Sequence, residues 1–564
     1  MQQLLKNHRA LLALLLVTTA VYWNVYDAGF VWDDYALVQG NTMTDSWTKW
    51  PKLFTMDLWE TPEFPQKSGF YRPLFLLSLS IDRGFFGLDP GPHHLHSLFW
   101  HLACVAMVYR LAATLKDKPT GLLAALFFAL HPVQHEAVTL IAARNDSMAT
   151  FFALSTLYLL LDKESPRRRM CAAAFCFSLA LLSKESVVLL PVLLLVLDWA
   201  RFGRPIGRRR YLMLAALVVG IFVLRASVGI EQPAFPDGAA AQKGFEHTLP
   251  ILGTYAQLLV WPDPLTPARH IDYLDSAGQL APFLLSVIAL FGALIWRSKN
   301  DKLVWAGWIW ALFGLAPSLL MTLDPTRGNL GERYLYWPMV GLCLSIAIAL
   351  PRSRLMYGII GAWALLSSYL IVQRHADWKD YNTLWSAAYR DRPSTYTAGG
   401  YAWSLANIAG NPEQAAKLYL EALEGEPVYK SSCDSIIVNQ LRLGNPLEAA
   451  KIWEWSTLHR RAVEKRCPIS RISLDLYALA LLESNQDSKL NQLLSPEVKL
   501  PKPSRAPVIA HYALERDTTS LANLLTRYPQ AQTALPHAHL LLMRFLEDSQ
   551  SAYWLEELHP SLAR

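Results

Sequence analysis

Two adjacent carboxylates, Asp33 and Asp34, stand in the stretch "FVWDDYALVQGN", directly after the first long apolar run. Further charged motifs follow between other apolar runs. They are "YRPL" with Tyr71 and Arg72, "HHLH" with His93 and His94, "HPVQHE" with His131, His135 and Glu136, and "ARND" with Arg144 and Asp146. "SKES" adds Lys184 and Glu185, and "GERYLYWP" adds Glu332, Arg333 and Tyr334. Ionisable side chains at membrane depth or at its edge are costly and so mark functional candidates. Carboxylates beside Arg and Lys at a lipid–water boundary suit the transfer of a sugar from a lipid-linked phosphate. One Asp would take the proton of the acceptor hydroxyl. Arg, Lys or a divalent ion would stabilise the departing phosphate.

A lone Asp at a loop end is ordinarily a solvated cap. What argues otherwise is that each non-cytoplasmic loop brings its own charged motif, whereas the cytoplasmic loops are merely basic. Other chemistries find little support. His131 and His135 have the i, i+4 spacing of a helical metal site, but Pro132 lies between them and the order is not H-E-x-x-H. There is no P-loop, G-x-G-x-x-G or G-x-S-x-G. No basic helix or zinc pattern points to nucleic acid.

The elements that must position these residues are apolar helices. The chain of 564 residues is 52% hydrophobic and 17% charged, below the usual charged share of soluble domains. Candidate spans lie near 10–29, 95–115, 121–140, 147–161, 170–182, 187–200, 211–228, 280–296, 303–321, 334–350 and 355–373, about eleven helices against a need of about 20 apolar residues each. The first is read as a retained spanning helix, because no small-residue cleavage site precedes Asp27. "KDKP", "DKESPRRR", "RFGRPIGRRR", "RSKND" and "PRSR" are short, basic connections; the alternate connections are longer and poorer in positive charge. The positive-inside rule puts the basic set in the cytoplasm and the charged motifs outside, together with everything after about residue 373.

The remainder is polar. "GNPEQAAKL" at Gly410 and "GNPLEAAKI" at Gly444 repeat at the 34-residue spacing of tetratricopeptide helices. Such an array offers a groove to an extended partner; alternatively it only packs against the membrane domain. Cys433 and Cys467 share the 34-residue spacing and would be able to pair outside the cytoplasm. Cys104, Cys171, Cys176 and Cys343 are read as small buried residues.

Taken in order, the Asp pair, "YRPL", "HHLHSLFWH", "HPVQHEAVTLIAARND", "SKES" and "GERYLYWP" resemble the GT-C glycosyltransferases. The branch they resemble is that of membrane O-mannosyltransferases with C-terminal tetratricopeptide repeats. The resemblance runs from about residue 21 to 345, and the repeats extend it. It implies an all-α protein with a GT-C transmembrane domain over 1–373, a linker over 374–392 and a periplasmic helical-repeat domain over 393–564. It implies transfer of a single sugar, with inversion, from a polyprenyl-monophosphate donor to Ser or Thr of exported proteins, pilins among them. The setting is a bacterial inner membrane, with a eukaryotic secretory membrane as the alternative.

Carried over residue by residue, Asp33 is the base, and Asp34 serves the acceptor or an optional metal, Mg or Mn. Arg144 contacts the donor phosphate and Asp146 orients it. Lys184 and Arg333 complete the phosphate clamp, and Glu136 and Glu185 hold the cations. Arg72, Tyr71, His94, His131 and Tyr334 line the pocket. Ala143 and Ser97 depart from the Gly and Asn usual in the family, so mannose is not implied over a pentose or another sugar. Other readings are a transferase acting on lipid A or an envelope glycan, a non-catalytic repeat scaffold, and a transporter.

Overall fold

The computed structural model describes residues 2–60, 68–162, 166–230, 251–267, 301–322 and 330–424, together with scattered positions such as Arg269 and part of 437–489. Among the described residues the regular secondary structure is entirely helical. Residues 1–387 and 388–564 form two compact units. Cys433 and Cys467 lie outside the described residues.

Five helices among the described residues are long and apolar enough to cross a membrane: Arg9–Asp27, Pro90–Leu115, Arg208–Ser227, Lys302–Leu319 and Arg354–Trp378. Shorter helices stand where further spans are expected, at Lys118–Leu130, Arg144–Leu159, Arg167–Ser183, Leu190–Phe202 and Tyr336–Ala349. Most of 280–296 lies outside the described residues. Cys104 and Cys343 are buried, but Cys171 is exposed, against the reading of all four as buried residues.

The expected span over 121–140 is broken. The Asp117 side chain accepts from the Thr120 amide at 2.8 Å and opens the helix Lys118–Leu130. Pro132 has no N–H to donate and stops that helix at His131. The chain then winds through a 3-10 turn at Pro132–Gln134, a short helix at His135–Thr139 and a second turn at Ile141–Ala143, and starts a new helix at Arg144. The residues of this irregular stretch are buried. Irregular backbone is tolerated at such depth only inside protein, and here the bonds Leu140 N–H to Glu136 O (2.9 Å) and Ala143 N–H to Leu140 O (3.0 Å) help satisfy it.

The sequence reading leaves residues 30–94 as a loop, but they contain the helix Pro73–Phe86, which starts on a proline and ends at Gly87 with φ +61°. Phe75, Leu76 and Leu79 form its fully buried face, in one cluster with Val31, Leu37, Val38, Leu53, Leu140 and Ile141. Each such side chain contributes about 1.5–3 kcal/mol on burial. This cluster pins the loop of Asp33 to the turn before Arg144.

A larger apolar cluster joins the remaining helices. Lys302–Thr322 crosses Tyr336–Ala349 where Gly307 meets Gly341. A Cβ on Gly307 would collide with the Gly341 carbonyl, and one on Gly341 would lie 2.6 Å from Trp310 Cβ. Small residues permit this approach, and Ser345 Oγ donates to the Val304 carbonyl across it at 2.8 Å.

The stretch 374–392, expected as a linker, carries the helix Tyr381–Asp391. In the second unit, helices Thr395–Asn407 and Pro412–Glu424 pack through buried Ala398, Ala402, Ala415 and Ala422. Gly410 (φ +64°) and Gly444 (φ +70°) occupy equivalent left-handed turns. Each precedes an Asn-Pro helix start, with Asn411 N–H bonded to Leu405 O (2.8 Å) and Asn445 N–H to Gln440 O (2.9 Å).

Candidate functional site

The two adjacent carboxylates face different surroundings. Trp32 holds φ +48°, uncommon for a bulky residue, and the chain turns through Asp34 N–H to Val31 O at 2.9 Å. Asp34 is fully buried, and its Oδ1 accepts from the Ala142 amide at 2.7 Å while Oδ2 accepts from Val31 N–H at 3.3 Å. Burial pushes its carboxyl up to about 8 against those amide bonds. Asp34 thus fastens the first loop to the turn before Arg144, where the sequence reading set it beside the acceptor or an optional metal. Asp33 is half-buried, and among the described residues it takes no hydrogen bond. Burial raises its carboxyl above the ordinary range, with Arg333 and then Arg72 pulling it back.

Around Asp33 the distant motifs converge. Arg72 Nε donates to Glu185 Oε2 at 3.0 Å, and its Nη2 bonds the other carboxylate oxygen. Lys184 Nζ donates to Asp146 Oδ2 at 2.6 Å. The Arg333 amide donates to Glu136 Oε2 at 3.0 Å, and Arg333 Nη1 bonds Glu136 Oε1. The Arg333 guanidinium lies 5.0 Å from the Trp32 ring centre and 5.2 Å from that of Tyr334; Lys184 lies 5.6 Å from Tyr334. Burial alone would raise the Glu185 carboxyl, but Arg72 and Lys184 hold it at about 2. Burial lowers Lys184, with Asp146 opposing. Three cations and four carboxylates therefore meet here, and three pairs form. The odd carboxylate is Asp33.

Arg144 is placed elsewhere than the phosphate contact expected of it. Its guanidinium is fully buried and ion-paired to Asp82 at 2.6 Å. Nε donates to Ser97 Oγ at 3.0 Å, and Nη2 donates to the His93 carbonyl at 2.8 Å. Nη1 also reaches His96 Nδ1 at 3.2 Å and Ser78 Oγ at 3.4 Å. Asp146, expected to orient Arg144, holds Lys184 instead. Tyr71, His94 and His131 fasten loops rather than join the cluster: Tyr71 Oη donates to the Phe54 carbonyl at 2.8 Å, His94 Nε2 lies 3.3 Å from Gly29 O, and His131 Nε2 lies 3.2 Å from Leu259 O. His131 and His135 do not converge, since His135 Nε2 meets His375 Nδ1 at 3.0 Å.

Among the described residues no group of three or more His, Cys, Asp or Glu could hold a metal. Asp34 is spent on amides and the charges nearest Asp33 are cations, so these residues do not fit Mg or Mn. Sequence reasoning missed Asp82, which sits in the apolar run "LFLLSLSID" and whose acidity was the available signal. It also missed Trp32, Arg225 and Arg269. Arg269 Nη1 donates to Glu332 Oε1 at 2.8 Å.

Residues 86–228 match the family of dolichyl-phosphate-mannose-protein mannosyltransferases. The protein O-mannosyl-transferase TMTC3 of Homo sapiens is 24% identical over 478 residues, 75% of this chain and 52% of that protein. The chain resembles the membrane O-mannosyltransferases. F38B6.6 of Caenorhabditis elegans, also a protein O-mannosyl-transferase by name, is 23% identical over 75% of this chain and 63% of its own length. TMTC2 of Mus musculus reaches 34% identity over 24% of this chain and 17% of that protein. This membrane protein thus spans about half the length of the TMTC3 relatives it matches. A crystal structure of ArnT from Cupriavidus metallidurans bound to undecaprenyl phosphate aligns over 93% of this chain and 89% of that one, at 12% identity and a TM-score of 0.37. That overlap is too loose to equate residues.

Proposed function

We propose that the protein is an inverting glycosyltransferase that moves one sugar from a polyprenyl-monophosphate donor to a Ser or Thr hydroxyl of an exported protein, with pilins as candidate acceptors. The observation that carries this reading is the charge count around Asp33: every other carboxylate of the cluster is bound to a cation. A carboxylate that takes no hydrogen bond among the described residues, beside cations, suits a general base for a hydroxyl whose partner substrate carries a phosphate.

Asp33 takes the hydroxyl proton as the acceptor oxygen attacks the anomeric carbon from the face opposite the phosphate. The carbon–oxygen bond to phosphate breaks through an oxocarbenium-like state, related to that of inverting glycosidases. The lipid leaves as its phosphate monoester, which needs no proton. Lys184, Arg333 and Arg72 share their charge with that phosphate, while Asp146, Glu136 and Glu185 keep the three cations in place. Arg144 acts at one remove, positioning the turn that leads into Asp146.

The positive-inside pattern favours an extracytoplasmic site, as in the periplasm of a bacterial inner membrane. The second unit, with paired helices joined by left-handed Gly turns at 34-residue spacing, is of the tetratricopeptide kind and would hold an extended acceptor. Intact masses of exported proteins from wild-type and Asp33→Ala cells test the reading. Discrete sugar-sized increments should vanish in the variant, and the mass step separates pentose from hexose. Unchanged masses in both strains would redirect the reading to lipid A or an envelope glycan.

A further inference from the structure

Five arginines among the described residues are buried: Arg144, Arg210, Arg225, Arg269 and Arg374. Four of them have a carboxylate within ion-pair distance, namely Asp82, Asp198, Glu332 and, for Arg374, both Glu332 and Asp377. Arg225 has none. Its Nη2 donates to the Gly69 carbonyl at 2.6 Å, and its Nε is buried without a hydrogen-bond partner. Only the longer-range charges of Glu185 and Asp57 offset this cation, so an anion arriving at contact distance would be favoured there.

Its position says from where. Arg225 lies in the last turn of Arg208–Ser227, a helix with only Arg210, Leu214 and Arg225 buried. Leu212, Val219, Phe222, Val223 and Leu224 of the same helix are exposed, an apolar face suited to lipid. The Arg225 side chain instead turns inward to Gly69, three residues before Arg72, whose guanidinium holds Glu185. The nearest charges are Glu185, Asp57 and Arg72. Asp57 acts on it only through space, because its carboxylate accepts from the amides of Trp59 (3.0 Å), Ser68 (3.0 Å) and Gly69 (2.6 Å) and from Ser68 Oγ (2.6 Å).

We infer that Arg225 binds the phosphodiester of the lipid donor and the phosphate monoester it becomes on leaving, taking the anion from the bilayer side of the cluster. This rests on the proposed donor class and adds a fourth cation to the cluster, one with no carboxylate within ion-pair distance among the described residues. Asp33 is the odd carboxylate and Arg225 the odd cation, which matches a substrate pair of one hydroxyl proton to remove and one anion to hold.

The test uses the full chain in detergent or nanodiscs, as wild type, Arg225→Gln and Arg225→Lys. Undecaprenyl phosphate is the probe, with phosphatidylglycerol and inorganic phosphate as the other anion sources. The expected result is a loss of about tenfold or more in undecaprenyl-phosphate affinity for Arg225→Gln, with Arg225→Lys largely rescuing it. Melting of Arg225→Gln should be no lower than wild type, because an unpaired buried charge has been removed; a purely structural arginine would lower it. Wild-type affinity in Arg225→Gln overturns the inference and leaves the donor reading standing. An equal loss for phosphatidylglycerol or inorganic phosphate overturns it too, since the site would then be a general anion contact. A wild-type protein that binds no polyprenyl phosphate overturns the donor reading and the inference together.

Discussion

Asp82→Ala should damage the fold more than Arg144→Ala, although Arg144 makes the greater number of contacts. Removing Asp82 strands a guanidinium that is fully buried and stays charged at any accessible pH. Ser97, Ser78 and the His93 carbonyl would still accept from it, but none supplies the opposite charge. Breaking a buried pair from that side costs about 3–5 kcal/mol. Removing Arg144 instead leaves Asp82 with partners, His96 Nδ1 at 2.7 Å and His93 Nδ1 at 3.6 Å, and strands no permanent charge. Thermal unfolding in detergent, followed by tryptophan fluorescence, should therefore rank wild type above Arg144→Ala above Asp82→Ala. The reasoning is refuted if Asp82→Ala melts like wild type, or if Arg144→Ala keeps wild-type melting but loses binding of polyprenyl phosphate. The second result would return Arg144 to the phosphate.

Transfer should fall on the acid side with a midpoint above the usual Asp value of about 3.9, because burial raises the Asp33 carboxyl and only its ionised form takes a proton; a pH–rate profile checks this. A raised folded-state value means that ionising Asp33 disfavours the fold, a contribution favourable at low pH and lost as pH rises through that value. Asp33→Asn should accordingly melt no lower than wild type at neutral pH, and a clear drop would contradict the assignment. Gly341→Ala should lower stability by about 1–3 kcal/mol, since the new methyl meets the Gly307 carbonyl and Trp310; unchanged melting would show that the two helices can separate freely. Trp385, whose ring meets Trp32 edge-on at 6.0 Å, should help hold the left-handed Trp32 that carries Arg333 on its face. Trp385→Ala is expected to raise hydrogen exchange over residues 29–35 and to slow transfer, with Trp385→Phe close to wild type; unaltered exchange would sink the idea.

The convergence of Arg72, Glu136, Asp146, Lys184, Glu185 and Arg333 was legible because charged residues in loops between apolar helices must be sheltered together or solvated. Their pairing was not. Asp146 has the charge to serve Arg144 or Lys184, and only the winding of residues 131–146 decides for Lys184. That winding has a visible cause in Pro132, yet the apolar run continues past it and reads as one span. The split between Asp33 and Asp34 depends on a left-handed Trp32, which no propensity favours. Asp82 and the helix around it lie between two spans, where 14 residues read as loop. Arg225 was hidden differently: an arginine at the end of an apolar helix looks like an ordinary interfacial anchor until its missing counter-ion is seen.

The central claim is that Asp33 removes a proton during transfer of a sugar from a polyprenyl phosphate. It is tested most directly with purified protein, a panel of polyprenyl-phosphate sugars labelled in the sugar, and a mixture of exported proteins as acceptor. Label should move from lipid to protein with wild type and stay on the lipid with Asp33→Asn, while that variant still binds undecaprenyl phosphate. Transfer by Asp33→Asn at the wild-type rate would contradict the account.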